Sequence, residues 1–404
     1  MKILVVSQYY FPEPFRINEI CEELVRRGHE VTVITSQPNY PDGDIYEGYP
    51  KAENPEILNG VTIYRCNVRP RKKGHLNLLL NYLDFLIRGS IKARFLKEKF
   101  DSVYTYQLSP ISSSHPAIIY GKRNHVPVLL YCLDLWPESI VSIISCKGFL
   151  YKVLKKYSSY IYKNATSIIV TTPSFKAYLS DLTKLPTSCI HFIPQHSQDV
   201  GKPNDNQLYN ERKSSTNIMF LGNIGETQNL DLLIQAAVKL KEDKQNFYIH
   251  IVGSGSYYHE LIKLVQKYGV DDHITFYGRQ PKEKMPYYYS IADVCYLSLR
   301  DEGLVSYTIP GKLQEYMSAG KAVVASIKGD AATVINEAKC GIVVNNSDVD
   351  ALVDALKIII SDKEKQREFG KKARQYYLEH FTLKHHVDQL EMKLLSLLSE
   401  QKEE

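Results

Sequence analysis

The chain alternates short apolar runs with helical patterns, and it does so twice. In the first half, strands are predicted at residues 2–7, 31–35, 61–65, 102–105, 128–132, 167–171 and 190–193, with helices over 17–28, 111–122, 149–163 and 174–181. In the second half, strands are predicted at 217–221, 247–252, 274–276, 293–297, 322–326 and 341–344, again with helices between them. Such alternation builds mostly parallel, doubly wound α/β sheets. The two series are separated by a polar stretch, 196–215, without apolar periodicity. The expected plan is therefore a Rossmann-like domain over 1–195, a linker over 196–215, a second Rossmann-like domain over 216–380 and a terminal helix over 381–404. In that last segment Leu383, Val387, Leu390, Leu394 and Leu397 recur every three or four residues, so one face needs a surface to cover.

Composition narrows the class. The 404 residues are 44% hydrophobic and 24% charged, enough for two cores. A net charge of +5 is too mild for a dedicated nucleic-acid binder. Seven scattered cysteines show no metal or dithiol spacing, which suits reduced thiols in a cytoplasm. The N-terminus reads as a buried strand and not as a signal peptide, and no apolar run approaches the roughly 20 residues that span a bilayer.

In open α/β sheets ligands bind at the carboxyl ends of strands. A GxGxxG turn with an acidic residue after the second strand would mark a dinucleotide enzyme, and neither half has one. A Walker P-loop is also absent from the sequence. Gly253-Ser254-Gly255 follows a strand, a spacing that a plain tight turn also explains. Residues 300–326 are denser in signal. A strand ends, a loop rich in Gly, Ser and Thr follows, and Pro310 stands in the first turn of a predicted helix. A helix start is a ready anion site. Lys312 adds a point charge there, and Glu315, one turn deeper, suits a ribose diol. A capped helix with a surface Lys–Glu pair fits the same residues.

The segment from Leu313 through Glu315 to Gly320 and Val324 resembles the donor-binding helix of the retaining GT-B glycosyltransferases of family 4. Gly222-Asn223-Ile224-Gly225 resembles that family's phosphate loop, and Gly278-Arg279 the loop that holds the base. The resemblance covers about residues 1–380. Asp134-Leu135-Trp136-Pro137-Glu138, with Pro38-Asn39-Tyr40-Pro41, is similar to the subgroup that builds bacterial O-antigen, colanic acid and capsule repeats, often labelled N-acetyl-L-fucosamine-transferase-like. The implied fold is GT-B: two Rossmann-like domains facing across a cleft, with the C-terminal helix packing back toward the first. There are departures. The first of the family's two glutamates is replaced by Tyr307, and its basic pair by Asn223 and Gln228. Lys312, Arg279, Arg300 and Arg16 are the candidates to balance a diphosphate.

The resemblance implies retaining sugar transfer, without cofactor or metal, from a nucleotide-sugar to a lipid-linked saccharide. A UDP-sugar is favoured, an N-acetylated hexosamine among the candidates. The implied donor residues are Gly222, Asn223, Gly225, Gly253, Gly278, Arg279, Lys312, Leu313 and Glu315; Arg16 joins them as a candidate because it follows the first strand, where the family's glycine-rich loop is missing. Asp134 and Glu138 are the catalytic candidates, and His115 and Trp136 are expected to line the acceptor side. A GT-B-shaped hydrolase or epimerase, or a non-catalytic glycan-binding scaffold, would share most of these features. Between Arg65 and Lys99 ten Lys/Arg face two acids, around an apolar stretch at 76–86, and 147–163 has five Lys and no acid. Such helices suit an anionic membrane surface, here the inner face of the cell membrane; solvated charge around core-facing helices is the other reading.

Overall fold

The computed structural model describes residues 1–49, 55–72, 74–141, 148–201, 215–301, 303 and 307–403. They divide into two compact units, Met1–Pro194 with His386–Glu404, and Gln195–His385.

The first unit runs β1 (Lys2–Val6), α1 (Ile17–Arg26), β2 (Glu30–Ser36), β3 (Glu56–Leu58), β4 (Val61–Cys66), α2 (His75–Phe95), β5 (Ser102–Gln107), α3 (His115–Asn124), β6 (Val128–Cys132), α4 (Glu138–Val141), α5 (Phe149–Lys163), β7 (Ser167–Val170), α6 (Ser174–Thr183) and β8 (Ile190–Phe192). The sheet order is β3-β4-β2-β1-β5-β6-β7-β8. All neighbours are parallel except β3, which pairs antiparallel with β4 at the edge. The central strands are buried on both faces: Ile3 to Val6 are each fully buried, as helix-covered parallel strands must be.

The second unit runs β9 (Thr216–Leu221), α7 (Leu230–Glu242), β10 (Phe247–Val252), α8 (Tyr258–Tyr268), β11 (Ile274–Gly278), α9 (Met285–Ile291), β12 (Val294–Ser298), α10 (Gly311–Ser318), β13 (Ala322–Ser326), α11 (Asp330–Ala338), β14 (Gly341–Val344), α12 (Val349–Ser361) and α13 (Lys363–His380), and then enters α14 (Leu383–Glu403). Its all-parallel sheet has the order β11-β10-β9-β12-β13-β14. Two apolar clusters cover it, one through α7, α8 and α12 and one through α10, α11 and α13.

The predicted strands all form. β3 escaped the reading, and the long helix α2, within the basic stretch 65–99, and the four-residue α4 had been given no bounds. The predicted helix at 111–122 splits, because Ile111–Ser114 takes a tighter 3-10 turn before α3 begins at His115 with Pro116 in its first turn. Pro310 lies one residue ahead of α10 in extended backbone, outside the first turn where it was expected.

α14 packs on the first unit. Val387, Leu390, Leu394 and Leu397 are buried, and Arg27, just past the end of α1, forms ion pairs with Asp388 and Glu391 at 2.7 and 2.9 Å. The division between units thus runs through α14 at His386, five residues beyond the expected boundary at 381. Residues 196–201 of the expected linker pack within the second unit: the Ser197 amide donates to the Phe381 carbonyl at 2.9 Å, and Arg374 pairs with Asp199. The rest of that stretch, 202–214, lies outside the described residues. Six described cysteines are free thiols; Cys146 lies outside the described residues.

Candidate functional site

In each sheet the chain reverses its direction of winding once, between β9 and β12 in the second unit and between β1 and β5 in the first. Strand ends at such a reversal leave a crevice that crossing helices do not fill. Several of the sequence-predicted residues lie at these two places.

In the second unit β9 ends at Leu221 and runs into Gly222 and Asn223. Two glycines are demanded by backbone crowding, and a third, Gly222, by its positive φ beside the Lys312 side chain. A Cβ on Gly253 (φ +144°) would stand 1.8 Å from the Gly222 carbonyl oxygen, one on Gly255 2.3 Å from that of Ile224, and one on Gly222 (φ +131°) 2.4 Å from Lys312 Cε. The Gly253-Ser254-Gly255 turn is therefore a wall that lets two loops lie backbone to backbone. Amides complete the joint: Gly222 donates to Val252, Gly253 to Gly278 and Ile224 to Ser254, at 2.9, 2.9 and 3.0 Å.

α10 is pinned to the same strand end. The buried Tyr316 hydroxyl accepts from the Leu221 amide at 3.2 Å and lies 3.3 Å from its carbonyl. This sets the helix start beside the Gly222 loop, where the amides of Gly311 and Lys312 lack intrahelical acceptors. Lys312 folds over the loop. Its Nζ donates to the Asn223 carbonyl at 3.2 Å and stands 4.0 Å from the Phe220 ring centre. Burial pushes its pKa down to about 7, against a smaller opposing pull from Glu315. Glu315 is half-buried and accepts from the Tyr289 hydroxyl at 3.3 Å. Tyr289, 1% exposed, escaped the sequence reading because a tyrosine in a helix registers as core.

Other candidates take different places. The Leu313 side chain is fully buried in the core, and its amide donates to the Pro310 carbonyl, so it supports α10 and offers no group to a ligand. Arg300 is paired with Glu226 and Asp231, which removes it as a ready counter-charge. Arg279 is exposed just beyond Gly278 (φ +64°). Gln228, in one of the expected basic positions, staples the loop: its Oε1 accepts from the Gly225 amide at 2.8 Å, and its carbonyl accepts from the Ser298 hydroxyl. Asn223 is exposed, with its Nδ2 3.5 Å from that same Oε1. Tyr307, in the position of the first glutamate, packs over Gly329, where a Cβ would meet its ring at 2.4 Å. Among the described residues no cluster of His, Cys, Asp and Glu could hold a metal.

In the first unit the ends of β5 and β6 are tied through Asp134. Its carboxylate accepts from the Ser109 amide at 2.8 Å, and its carbonyl accepts from Gln107 Nε2 at 3.0 Å. Trp136 is buried and donates from Nε1 to the Ser109 hydroxyl at 2.9 Å, so it braces this loop and presents little surface. Arg16 stands just before α1, and its charge and that of Asp134 both act on the buried Tyr106 phenol, which burial pushes well above its ordinary range. Arg16 and Asp134 thus share one locality. Glu138 stands apart, clasped by the hydroxyls of Tyr151 and Tyr178 at 2.9 and 2.6 Å. His115 pairs with the Tyr157 hydroxyl at 2.9 Å and stacks on that ring, and burial lowers its pKa.

Glu13, after β1, also went unread. It is fully buried, and its carboxylate accepts from the amides of Asn39, Tyr40 and Tyr10 at 2.8, 2.8 and 3.3 Å. It fastens the loop after β1 to Pro38-Asn39-Tyr40-Pro41. Burial outweighs the three amides and raises its pKa to about 7. Beside it Tyr9 stacks on Phe15 at 4.9 Å, and the Arg71 guanidinium lies over Tyr9 and Tyr40 at 5.6 and 5.3 Å.

The family described as glycosyl transferases group 1 matches residues 202–376, and the glycosyl transferase 4-like domain matches 15–196. The chain is a GT-B glycosyltransferase of family 4. It is 24% identical over 337 residues to an Escherichia coli protein described as a colanic acid biosynthesis glycosyl transferase, covering 79% of this chain and 82% of that one. A shorter match, 28% over 167 residues, covers 41% of this chain and 44% of a GDP-mannose-dependent α-(1-6)-phosphatidylinositol monomannoside mannosyltransferase of Mycolicibacterium smegmatis. Among solved structures the glycosyltransferase is similar in fold to the Anabaena protein HepE in complex with UDP, at a TM-score of 0.72 and 13% identity over 98% of this chain and all of that one.

Proposed function

We propose that the enzyme moves a sugar from a nucleotide-sugar, UDP-linked, to a lipid-linked saccharide in surface polysaccharide assembly, with retention at the anomeric carbon. The observation that carries this reading is Lys312, held over the Gly222 loop at the start of α10. Open helix amides and one half-buried ammonium form a cradle for a diphosphate. Glu315, steadied by Tyr289, stands one turn deeper for the ribose. The charge that develops on the leaving diphosphate is met there, which is the main electrostatic task in such a transfer.

In the first unit Asp134 and Arg16 are the residues proposed to meet the acceptor and the transferred sugar. Glu138, His115 and Trp136 then act by holding loops. The likeness to the colanic acid relative supports a saccharide acceptor, and the basic stretches of the first unit support attachment to an anionic membrane. No helix among the described residues is long and apolar enough to cross a membrane.

The fold likeness to the UDP-bound Anabaena protein favours UDP as carrier, whereas the mycobacterial relative favours GDP. Thermal melting against UDP, GDP and their sugars separates these, because a ligand of the native state raises Tm by mass action. A shift with UDP alone supports the proposal, one with GDP alone transfers it to GDP, and no shift with either removes it.

A further inference from the structure

Four segments of the first unit meet at the carboxyl ends of β1, β2 and β4. The loop after β1 brings Tyr9 and Phe15, the loop after β2 brings Tyr40, the segment after β4 brings Arg71, and the first half of α2 brings Tyr82. Partners distant in sequence fix them there. Asn81 is fully buried; it accepts from Gln8 Nε2 at 3.1 Å and donates to the Arg69 carbonyl at 2.6 Å. The Lys72 amide donates to the Gly43 carbonyl at 2.9 Å, and Glu13 joins the first two loops from below.

The Arg71 guanidinium lies over three rings of this group, Tyr9, Tyr40 and Tyr82, at 5.6, 5.3 and 6.0 Å from their centres. Ring faces hold a guanidinium in place but do not use its N–H groups. Nη1 of Arg71 is buried without a hydrogen-bond partner among the described residues. Its neighbours Arg65 and Arg69 are paired with Glu56 and Asp84, whereas Arg71 forms no ion pair among the described residues. A cation partly withdrawn from water and left unpaired favours an oxyanion, and its planar fork suits a carboxylate or a phosphate. Tyr40, 38% exposed, and the half-buried Phe15 present ring faces beside it, on which the C–H face of a sugar can stack. Asp134 shares this locality: its charge and that of Arg71 both act on the Tyr82 phenol, which burial chiefly raises above its ordinary range.

We propose that Arg71 and its tyrosines select an acidic acceptor, gripping an oxyanion on, or directly adjoining, the sugar ring that receives the transfer. This rests on the acceptor role proposed for Asp134 and is independent of the donor's identity. A uronate carboxylate and the diphosphate of a single-sugar lipid both supply that chemistry. Saturation-transfer NMR titrations of the full chain, with excess UDP and GDP to fill the donor cradle, compare methyl glucuronide, N-acetylglucosamine 1-diphosphate and methyl glucoside. At least one anionic probe is expected to bind about tenfold or more tighter than the glucoside, and the one that does so tells carboxylate from diphosphate. Arg71→Gln is expected to erase that difference and Arg71→Lys to keep part of it, with the melting curve and the nucleotide-induced Tm shift retained in both. Equal binding of the three probes, no binding of either anionic probe, or a preference that survives in Arg71→Gln overturns the proposal. A preference that depends on Arg71 in an enzyme whose Tm no nucleotide shifts sinks the donor reading alone. The same preference with sugar transfer unchanged in Asp134→Asn sinks the role of Asp134 alone.

Discussion

Lys312 makes donor affinity a function of pH. In the free enzyme its pKa is lowered to about 7 from an ordinary 10.5, because its stem is buried over Gly222 and Phe220. A diphosphate in the cradle favours the charged form and returns the pKa toward the ordinary value. The free lysine is then about half charged at pH 7 and about one-hundredth charged at pH 9. Nucleotide affinity is expected to fall about 50-fold between those pH values, roughly 2.3 kcal/mol, with about half a proton taken up on binding at pH 7 and nearly one at pH 9. Calorimetry in two buffers of different ionisation enthalpy reads both quantities. Lys312→Met keeps the stem, loses the charge and isolates the nucleotide's own titration, so its affinity should be weak and nearly flat with pH. The stability sign is opposite. The unfolded chain keeps this proton up to about 10.5 while the fold releases it near 7, so stability rises with pH across that window. Lys312→Met should therefore melt higher at neutral pH while binding nucleotide more weakly. A wild-type affinity that is flat with pH, or parallel to that of the variant, would refute the reasoning.

Glu13→Ala leaves the Asn39 and Tyr40 amides without their acceptor and should cost about 3 kcal/mol in urea unfolding. In the wild type, Glu13 makes stability fall as pH rises from about 4.5 to about 7, since the unfolded chain loses this proton first. Gly253→Ala drives a methyl into the Gly222 carbonyl and should lower both Tm and nucleotide affinity, read by melting with and without nucleotide. Asp134→Asn keeps an acceptor for the Ser109 amide, so the fold should hold within about 1 kcal/mol while sugar transfer drops at least about tenfold; an unchanged rate removes Asp134 from the reaction. Tyr289→Phe should weaken nucleotide binding by about fivefold with little change in Tm.

Much of this was legible along the chain because its physical cause is local. Strand runs buried on both faces, such as residues 3–6, are apolar without interruption, and the amphipathic spacing in α14 forecast a helix that must find a surface. The Gly222 loop and the start of α10 were also readable, since turns and helix starts are made by neighbours in sequence. The bounds of α2 were not readable because apolar residues surround it and leave no single periodic face to detect. Which polar residues are free to act was not readable, because that depends on partners distant in sequence. Arg300 looked like a counter-charge until Glu226 and Asp231 stood beside it, Glu138 looked catalytic until two tyrosine hydroxyls closed on it, and Glu13 gave no signal until three amides converged on it. The sequence by itself determined two doubly wound domains and the places where their strands end. Only the tertiary structure decided the state of each charge there, because burial and pairing arise from contacts that no single stretch of sequence contains.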